Sequence, residues 1–373
     1  MRGDFFAFRR IILEMKVGII GLGKSGKSSL FYNLTEQAPG PPSGKPHRRP
    51  GRALVPDEKV EYIARNENSL KKTYAEITFL DPDGFPPDSL KSLNSELLGM
   101  VRDCDLLTPV IRVFSDPSVM HPLGSVDSHR DLKICFSDLI IQDLAVFEGR
   151  FERSKKAFDR GDKTIKPEID TVEKAMNTLS EDKFLREIEW SKPETEILSQ
   201  FEPLTLKGGI IVLNVDEDAK FGRGGVGVPE EIKNLCNEKG WGVGASRLSL
   251  ESEVMEIDRE ERGEFGRELG VQVTVRDRFL TAVYDRLGLL SFYTAGPKEA
   301  AARAIRRGET AWDAAGKIHS DIQRGFIRAE VMSFEDYKKF GSEEGVKKAG
   351  KYRVEKKEYV IQEGDIVYFR FNV

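Results

Sequence analysis

One glycine-rich segment constrains the fold of this chain more than any other feature. Residues 21–28 fit the pattern GxxxxGK(S/T), and a short apolar run at residues 16–22 leads into them. A helix-compatible stretch, residues 27–34, comes next. Glycine at the two fixed positions lets the backbone curl round an anion with its N–H groups pointing inward, and the helix N-terminus adds its dipole. Strand, loop and helix in this order predict a phosphate-binding loop on an α/β sheet.

Individual side chains of this loop have predicted tasks. Lys27 is expected to contact the β- and γ-phosphates of a nucleotide, and the Ser28 hydroxyl is expected to bind Mg²⁺. The other predicted nucleotide-binding residues of the loop are Gly21, Gly23, Lys24, Ser25, Gly26 and Ser29. A plain glycine-rich connector is the alternative, and the position of the motif between a strand and a helix argues against it.

A second motif ends the next predicted strand, residues 74–80, with the sequence Asp81-Pro82-Asp83-Gly84. In P-loop NTPases a DxxG at this place puts the Asp near Mg²⁺ and the Gly N–H near the γ-phosphate. Asp81 is therefore a predicted metal ligand, and Asp81 and Gly84 join Lys27 as predicted catalytic residues. The alternative is a simple turn, because Asp, Pro and Gly all favour turns.

A third motif, Asn214-Val215-Asp216-Glu217, follows a predicted strand at residues 209–214. GTPases commonly carry NKxD at this place. Asn214, Val215 and Glu217 are predicted to contact the nucleotide base, although the longer carboxylate and the missing lysine weaken the case for guanine. An Asx-type turn after the strand is the alternative interpretation.

The predicted strands alternate with helices, which favours a doubly wound α/β sheet. Another strand is predicted at residues 105–114, although Pro109 is unusual inside a central strand. Between it and the strand at 209–214, apolar residues recur near heptad spacing on both sides of the turn Arg160-Gly161-Asp162. The spacing predicts an inserted antiparallel helical hairpin. It is interpreted as a helical subdomain, with a docking arm for a large partner as the alternative.

From about residue 287, short strand-like runs separated by glycines predict a small α+β module. Residues 1–14 precede a second Met, Met15, and are interpreted as an extension or a mis-assigned start. The predicted domains are therefore residues 1–14 as extension, 15–137 and 206–286 as two parts of the nucleotide-binding domain, 138–205 as hairpin and 287–373 as C-terminal domain.

Composition narrows the classes of partner and compartment. The chain of 373 residues has a formal net charge of −4, so a global basic field for nucleic acid is absent. Cys104, Cys135 and Cys236 form no CxxC pair, which fits a reducing compartment and argues against a disulfide framework. No apolar run approaches the roughly 20 residues needed to span a bilayer. We expect a cytoplasmic protein without a membrane partner.

Taken together, these motifs resemble the YchF-type Obg-like ATPases, whose base motif is of the NxxE type found at Asn214–Glu217. The stretches most similar to the family are residues 124–131, 292–299, 314–321, 325–331, 363–365 and 369–373. The resemblance implies a P-loop domain, an inserted helical hairpin and a C-terminal TGS domain of the β-grasp type. It also implies ATP binding and slow hydrolysis with Mg²⁺, acceptance of GTP in some members, and association with the ribosome.

Departures from the family pattern leave alternatives open. Residues 44–51 contain no threonine where the family has its Mg²⁺-binding switch threonine, and Pro82 and Asp83 stand inside the DxxG motif, which usually reads DIAG. Phe85 agrees with the family, which lacks the glutamine that many GTPases have after DxxG. The favoured hypothesis is a nucleotide-hydrolysing translation factor. A nucleotide- or ribosome-binding module without turnover and an ordinary GTPase are the alternatives.

The C-terminal module also carries a set of basic residues that would suit rRNA phosphates. These residues are Arg303, Arg306, Arg307, Arg324 and Arg328. A solvated charged face is the alternative interpretation for any single one of them.

Overall fold

The structure is a computed structural model, and it describes residues 15–37, 48–82, 95–219, 228–258, 260–271 and 274–372. Their contacts divide the chain into two compact units. The first comprises Lys16–Gly51 and Thr78–Arg276, and the second comprises Arg52–Ile77 and Asp277–Val373. The predicted extension, residues 1–14, lies outside the described residues.

The strands, in chain order, are β1 (Met15–Ile20), β2 (Arg48–Leu54), β3 (Lys71–Thr73), β4 (Glu76–Pro82), β5 (Leu106–Arg112), β6 (Gly208–Asn214), β7 (Gly242–Ser246), β8 (Leu289–Thr294), β9 (Glu299–Arg306), β10 (Phe326–Ser333), β11 (Arg353–Glu355) and β12 (Asp365–Phe371).

The helices are α1 (Lys27–Thr35), α2 (Glu58–Asn66), α3 (Ser95–Arg102), α4 (Ser128–Asp159), α5 (Lys166–Ser180), α6 (Lys192–Ser199), α7 (Glu230–Glu238), α8 (Leu248–Glu256), α9 (Arg262–Glu268), α10 (Val275–Arg286), α11 (Ala311–Ile318), α12 (Ser320–Arg324), α13 (Phe334–Phe340) and α14 (Glu343–Lys348). Within the described ranges, none of these helices is both long and apolar enough to cross a lipid bilayer.

The first sheet has the strand order β2-β4-β1-β5-β6-β7. β1 pairs in parallel with β5, β5 with β6, and β6 with β7. β1, β5 and β6 are buried along nearly their whole length, as expected for parallel strands covered on both faces. The predicted α/β sheet is confirmed, with the helical hairpin inserted between β5 and β6.

Pro109 lies in the middle of β5, in a central position of the sheet. In the sequence, this proline argued against a central strand, because proline has no N–H to donate to a neighbouring strand. The residue pairs between β5 and β6 pass from Leu107 directly to Val110. On the other side of β5, Pro109 still pairs with Ile20 of β1, so the interruption at the proline is confined to the β5–β6 ladder.

The hairpin consists of α4 and α5, joined by a turn in which Gly161 has a φ of +112°. α4 begins at Ser128, before the predicted hairpin boundary at residue 138, because the Asp127 carboxylate accepts a hydrogen bond from the Arg130 N–H and caps the helix there. Near the turn, the Arg150 guanidinium binds the Glu168 carboxylate through two 2.6 Å contacts. This pair joins the two helices.

The second sheet has the strand order β11-β10-β12-β8-β9-β3. β10–β12, β10–β11 and β8–β9 are antiparallel pairs, whereas β12–β8 and β3–β9 are parallel. Apolar residues of α2 and α13 pack into one hydrophobic cluster of this unit, and α11 packs into another. The predicted C-terminal α+β module is therefore present.

One segment of the chain belongs to a different unit from the one the sequence indicated. Residues 52–77 were placed in the nucleotide-binding domain (residues 15–137), but the structure groups them with the C-terminal residues. β3 pairs with β9, and α2 buries Val60 and Ile63 in the C-terminal unit. Tyr293 donates a 2.7 Å hydrogen bond to Asp57, which also caps α2. Strand pairing and apolar burial against residues far along the sequence thus decide which unit this segment joins, although it is close in sequence to the phosphate-binding loop.

We predict that Gly209→Ala destabilises the first unit. A Cβ atom on Gly209 would overlap the Trp241 indole, which is 1% exposed and packs edge-to-face with Phe136 and Phe184. Overpacking of this kind typically costs about 1–3 kcal/mol. Urea denaturation should show a lower midpoint at unchanged slope. Gly244→Ala in β7 is the matched control, since its Cβ would meet no atom within 4 Å; equal stability of both variants would contradict the prediction.

A buried carboxylate in the second unit makes its stability depend on pH. Glu330 is 6% exposed and accepts hydrogen bonds from Arg370 (2.9 Å), Arg328 (3.0 Å) and Tyr352 (3.0 Å). The hydrogen bonds from Arg370, with smaller contributions from Arg328 and Tyr352, lower the pKa of Glu330 from 4.5 to about 2. The folded state therefore favours the ionised form.

We predict that Glu330→Gln costs about 1–3 kcal/mol of unfolding free energy at pH 7, a typical range for losing charge-assisted hydrogen bonds. Because the pKa is lowered on folding, this contribution is complete above pH 4.5 and is lost as pH falls towards 2. Urea denaturation at several pH values should show the two proteins converging over that interval. Glu358→Gln at an exposed position is the control, and a difference that is constant with pH would contradict the assignment.

Candidate functional site

The loop between β1 and α1 contains the predicted phosphate-binding residues. Gly21 has a φ of +135° and Gly26 a φ of +104°, a region that residues with a Cβ rarely adopt. A Cβ on Gly21 would also lie 2.5 Å from the Val110 carbonyl oxygen, and one on Gly26 would overlap the Asn214 amide. Both glycines of the GxxxxGK pattern are therefore required by backbone conformation and by close packing.

The Lys27 side chain folds back over this loop. Its ammonium group donates hydrogen bonds to the carbonyl oxygens of Gly21 at 2.9 Å and Leu22 at 2.7 Å. Ser28, at the second position of α1, is exposed, and Ser29 is half-buried. The loop thus places a lysine ammonium and a serine hydroxyl at the N-terminal end of one helix, where the helix dipole favours anions.

Ser25 has a buried hydroxyl that lacks a partner. The residue is 2% exposed, and its Oγ makes no hydrogen bond with any described residue. A buried hydroxyl in this state costs free energy unless a bound molecule completes its hydrogen bonding. The unsatisfied group lies inside the loop that the sequence predicts to bind phosphate.

Asn214 connects the loop to two neighbouring elements. Its side-chain Nδ2 donates to the Ser25 carbonyl oxygen at 3.1 Å, and its Oδ1 accepts from the Leu248 N–H, at the start of α8, at 3.3 Å. Its backbone carbonyl accepts from the N–H groups of Val113 and Phe114, just after β5. The sequence predicted that Asn214 contacts a nucleotide base; in the structure its amide positions the loop.

The other two residues of the NxxE motif occupy different environments. Val215 is 7% exposed, packs into the main apolar cluster and donates its N–H to the Ser246 carbonyl at 3.0 Å. Glu217 is exposed, and its backbone carbonyl accepts a 3.3 Å hydrogen bond from Arg247. Of the three predicted base-contacting residues, Glu217 alone has an exposed side chain.

Two features of this region were missed in the sequence. Glu251, in α8, is 3% exposed and accepts hydrogen bonds from the Ser246 hydroxyl and the Val275 N–H. Asn33, in α1, donates to the Leu248 carbonyl at 3.0 Å. Both side chains fix the turn between β7 and α8, and no local pattern distinguishes them from ordinary helix residues.

The segment after β5 is organised by a buried arginine. Arg112 is 3% exposed, and its guanidinium donates to the carbonyl oxygens of Phe114, Asp116 and Val119 while lying 4.2 Å from the centre of the Phe114 ring. Because Phe114 also bonds to Asn214, Arg112 fixes the path of the chain next to the NxxE motif.

The second predicted motif is only partly described. Asp81 lies in β4, which neighbours β1 in the sheet, but its side chain lies outside the described residues. Asp83, Gly84 and Phe85 also lie outside them. Their predicted roles therefore stay predictions.

The three cysteines of the chain have definite positions in the structure. Cys104, Cys135 and Cys236 are all buried as free thiols, and burial raises the pKa of the Cys104 and Cys135 thiols to about 12. These two thiols are therefore poor nucleophiles.

The five arginines of the predicted RNA-binding set do not form one patch. Arg303 and Arg306 lie in β9, and Arg307 follows that strand, whereas Arg328 lies in β10. In the sheet, β10 is separated from β9 by the two strands β12 and β8. Arg324 pairs with Asp321, and Arg328 pairs with Glu330. The set thus divides into a β9 group and a group near β10 whose charge is partly neutralised.

Comparison with known proteins identifies relatives along nearly the whole chain. The family model YchF-GTPase_C, described as a protein of unknown function (DUF933), matches residues 289–372. "Ribosome-binding ATPase YchF" of Haemophilus influenzae is 33% identical over 366 residues, covering 97% of this chain and 100% of the relative. "Obg-like ATPase 1" of Caenorhabditis elegans is 33% identical over 371 residues, covering 97% of this chain and 93% of the relative.

A solved structure with the same arrangement supports this relationship. "Structure of the Schizosaccharomyces pombe YchF GTPase" is 28% identical, covers 96% of this chain and 98% of its own, and superposes with a TM-score of 0.83. Since the similarity spans the phosphate-binding loop, the helical insert and the C-terminal module alike, the chain belongs to the YchF family.

Proposed function

We propose that this protein binds ATP, with GTP as a second substrate, hydrolyses it slowly and associates with the ribosome. The observation that carries the proposal is the loop of residues 21–28. It has left-handed glycines, a lysine ammonium bonded to carbonyl oxygens, and a buried hydroxyl with no hydrogen-bond partner among the described residues. The names of the relatives, ribosome-binding ATPase and GTPase, point to the same activity.

In this proposal the phosphates of the nucleotide supply hydrogen-bond partners for the polar groups of the loop. Lys27 exchanges its two carbonyl partners for β- and γ-phosphate oxygens, which form stronger, charge-assisted hydrogen bonds. The Ser25 hydroxyl gains a partner, and the backbone N–H groups of the loop and of the start of α1 surround the anion. Asn214 keeps the loop in this shape by holding the Ser25 carbonyl.

The base is proposed to lie against the segments after β6 and β7. The exposed Glu217 carboxylate would accept a hydrogen bond from an exocyclic amino group of the base. Val215 would contact the base through its backbone, since its side chain is buried. Adenine and guanine both carry such an amino group. The absence of the NKxD lysine makes ATP the favoured substrate, and an ordinary GTPase is the less favoured alternative.

Mg²⁺ is the proposed cofactor, with the Ser28 hydroxyl and Asp81 as its protein ligands. Among the described residues no group of three or more His, Cys, Asp or Glu side chains forms a metal site. A hydroxyl beside a phosphate-binding loop fits Mg²⁺, which usually takes one or two protein ligands and completes its shell with waters and phosphate oxygens. When bound, the ion would neutralise charge on the β- and γ-phosphates.

A non-hydrolysing binding module is the second candidate. It is favoured by the altered switch segments, namely the absence of threonine in residues 44–51 and the presence of Pro82 and Asp83 inside the DxxG motif. ATP turnover well above that of Lys27→Ala protein would exclude it, whereas ATP binding without turnover would support it.

We predict that Lys27→Ala weakens ATP binding about 10- to 100-fold, the range expected for losing a charge-assisted hydrogen bond of about 1.5–3 kcal/mol. The measurement is equilibrium binding of labelled ATP and GTP to the full chain in the presence of Mg²⁺. Lys192→Ala, at an exposed lysine at the start of α6, is the control and should bind as wild type does. Wild-type protein that binds neither nucleotide would contradict the proposed function.

Contact with rRNA through the C-terminal unit is a finer proposal. The exposed Arg307 has no carboxylate within ion-pair distance among the described residues, whereas Arg324 and Arg328 are paired. An unpaired arginine retains its full charge for a phosphate. The β9 group is therefore the better candidate for the contact.

We predict that Arg307→Glu reduces co-sedimentation of the protein with ribosomes and lowers the salt dependence of binding by about one unit of slope. Lys351→Glu, an equal charge reversal at an exposed position before β11, is the control. If both variants bind ribosomes like wild type, the β9 group does not contact rRNA.

A further inference from the structure

The phosphate-binding loop contains a second lysine whose position is unusual. Lys24 lies three residues before Lys27 and has a φ of +58°, in the left-handed region. Its side chain is exposed, and within the described parts of the chain it makes no hydrogen bond or ion pair. Lys27, by contrast, is held on the carbonyl oxygens of Gly21 and Leu22. The loop therefore presents one lysine that is bound within it and one that is unbound.

A lysine at this backbone position is costly, because its Cβ disfavours the left-handed conformation that glycine adopts freely. Neighbouring positions of the loop that need such a conformation, Gly21 and Gly26, do use glycine. Strained non-glycine residues of this kind cluster at sites where the side chain has a task. No neighbouring carboxylate or carbonyl in the described structure supplies a structural reason for the Lys24 side chain.

The chemistry of phosphoryl transfer provides a reason. During hydrolysis the water oxygen forms a bond to the γ-phosphorus, the bond to the β–γ bridging oxygen breaks, and the water proton leaves with inorganic phosphate. Negative charge builds on the γ-phosphoryl and bridging oxygens, and a cation placed there accelerates the reaction. This chain has Phe85 in place of the usual glutamine and no threonine in residues 44–51, so an additional positive group would compensate.

We propose that the Lys24 ammonium contacts the γ-phosphate of the bound nucleotide and stabilises the transition state from within the chain itself. Lys24 supplies positive charge only and takes no part in proton transfer. Lys27 binds the phosphates in both the ground state and the transition state, whereas Lys24 acts mainly on the rate. The inference rests on the proposed nucleotide hydrolysis and assigns a residue of that site.

Three substitutions separate the charge of Lys24 from its backbone strain. Lys24→Met removes the charge and keeps the length, Lys24→Arg keeps the charge, and Lys24→Gly removes the side chain while relieving the strain. The full chain is assayed for steady-state ATP hydrolysis, for Mg-ATP affinity, and for the tightening of Mg-ADP binding by aluminium fluoride, which imitates the transferring phosphoryl group. Ligand-free melting temperatures report the structural effect, and Lys192→Ala is the control.

Lys24→Met and Lys24→Gly should lower kcat at least about tenfold, since one preorganised charge-stabilising contact is typically worth that or more. Mg-ATP affinity should change less than about threefold, and aluminium fluoride should lose its tightening effect by the same factor as kcat. Lys24→Arg should retain most of the rate. Lys24→Gly should melt roughly 2–4 °C higher than wild type despite its lower activity, an outcome that a purely structural role would not produce.

Two results would overturn the inference and are distinguishable from each other. Wild-type protein that hydrolyses ATP, with Lys24→Met and Lys24→Gly equal to it, would remove the role of Lys24 and leave the proposed function intact. Wild-type protein that binds ATP without turnover would overturn both the hydrolase proposal and the inference.

Discussion

The amide of Asn214 is the interaction on which the arrangement of the candidate site depends. The side-chain amide links the Ser25 carbonyl in the phosphate-binding loop to the first N–H of α8, while the backbone carbonyl of Asn214 accepts hydrogen bonds from the residues just after β5. Being 7% exposed, the amide has little water to compete for these bonds. One residue thereby holds three segments that are distant in sequence, and its side-chain amide explains why Gly26 has no room for a Cβ.

The loop held by Asn214 concentrates unfavourable features in a few residues. Gly21 and Gly26 adopt left-handed backbone conformations, and Lys24 adopts one at a cost. The Ser25 hydroxyl is buried and has no hydrogen-bond partner in the described part of the chain. The buried Asp143 carboxylate of the same unit, in contrast, has bonds to Arg102, Leu204 and Thr205, although Thr108 Oγ1 in β5 is, like Ser25 Oγ, buried without a hydrogen bond among the described residues. The contrast is typical of a site preorganised for a ligand that supplies the missing interactions.

The second unit depends on a different kind of interaction. Its sheet contains β3, contributed by residues far earlier in the chain, and Asp57, Lys59 and Glu67 around α2 contact Tyr293, Glu363 and Tyr337. Buried carboxylates such as Glu330 bring strands β10 and β12 together through arginines. The segment 52–77 is thus part of the C-terminal fold, although it follows the phosphate-binding loop directly in sequence.

The sequence by itself determined the strand, loop and helix around residues 21–28, the hairpin about Gly161 and the α+β character of the C-terminal module. Local apolar periodicity and glycine positions encode these features within a few turns of chain. The partners of Asn214, the tolerance of Pro109 in β5 and the place of residues 52–77 were decided by the tertiary structure. Each depends on contacts between residues distant in the chain, and no local pattern specifies such contacts.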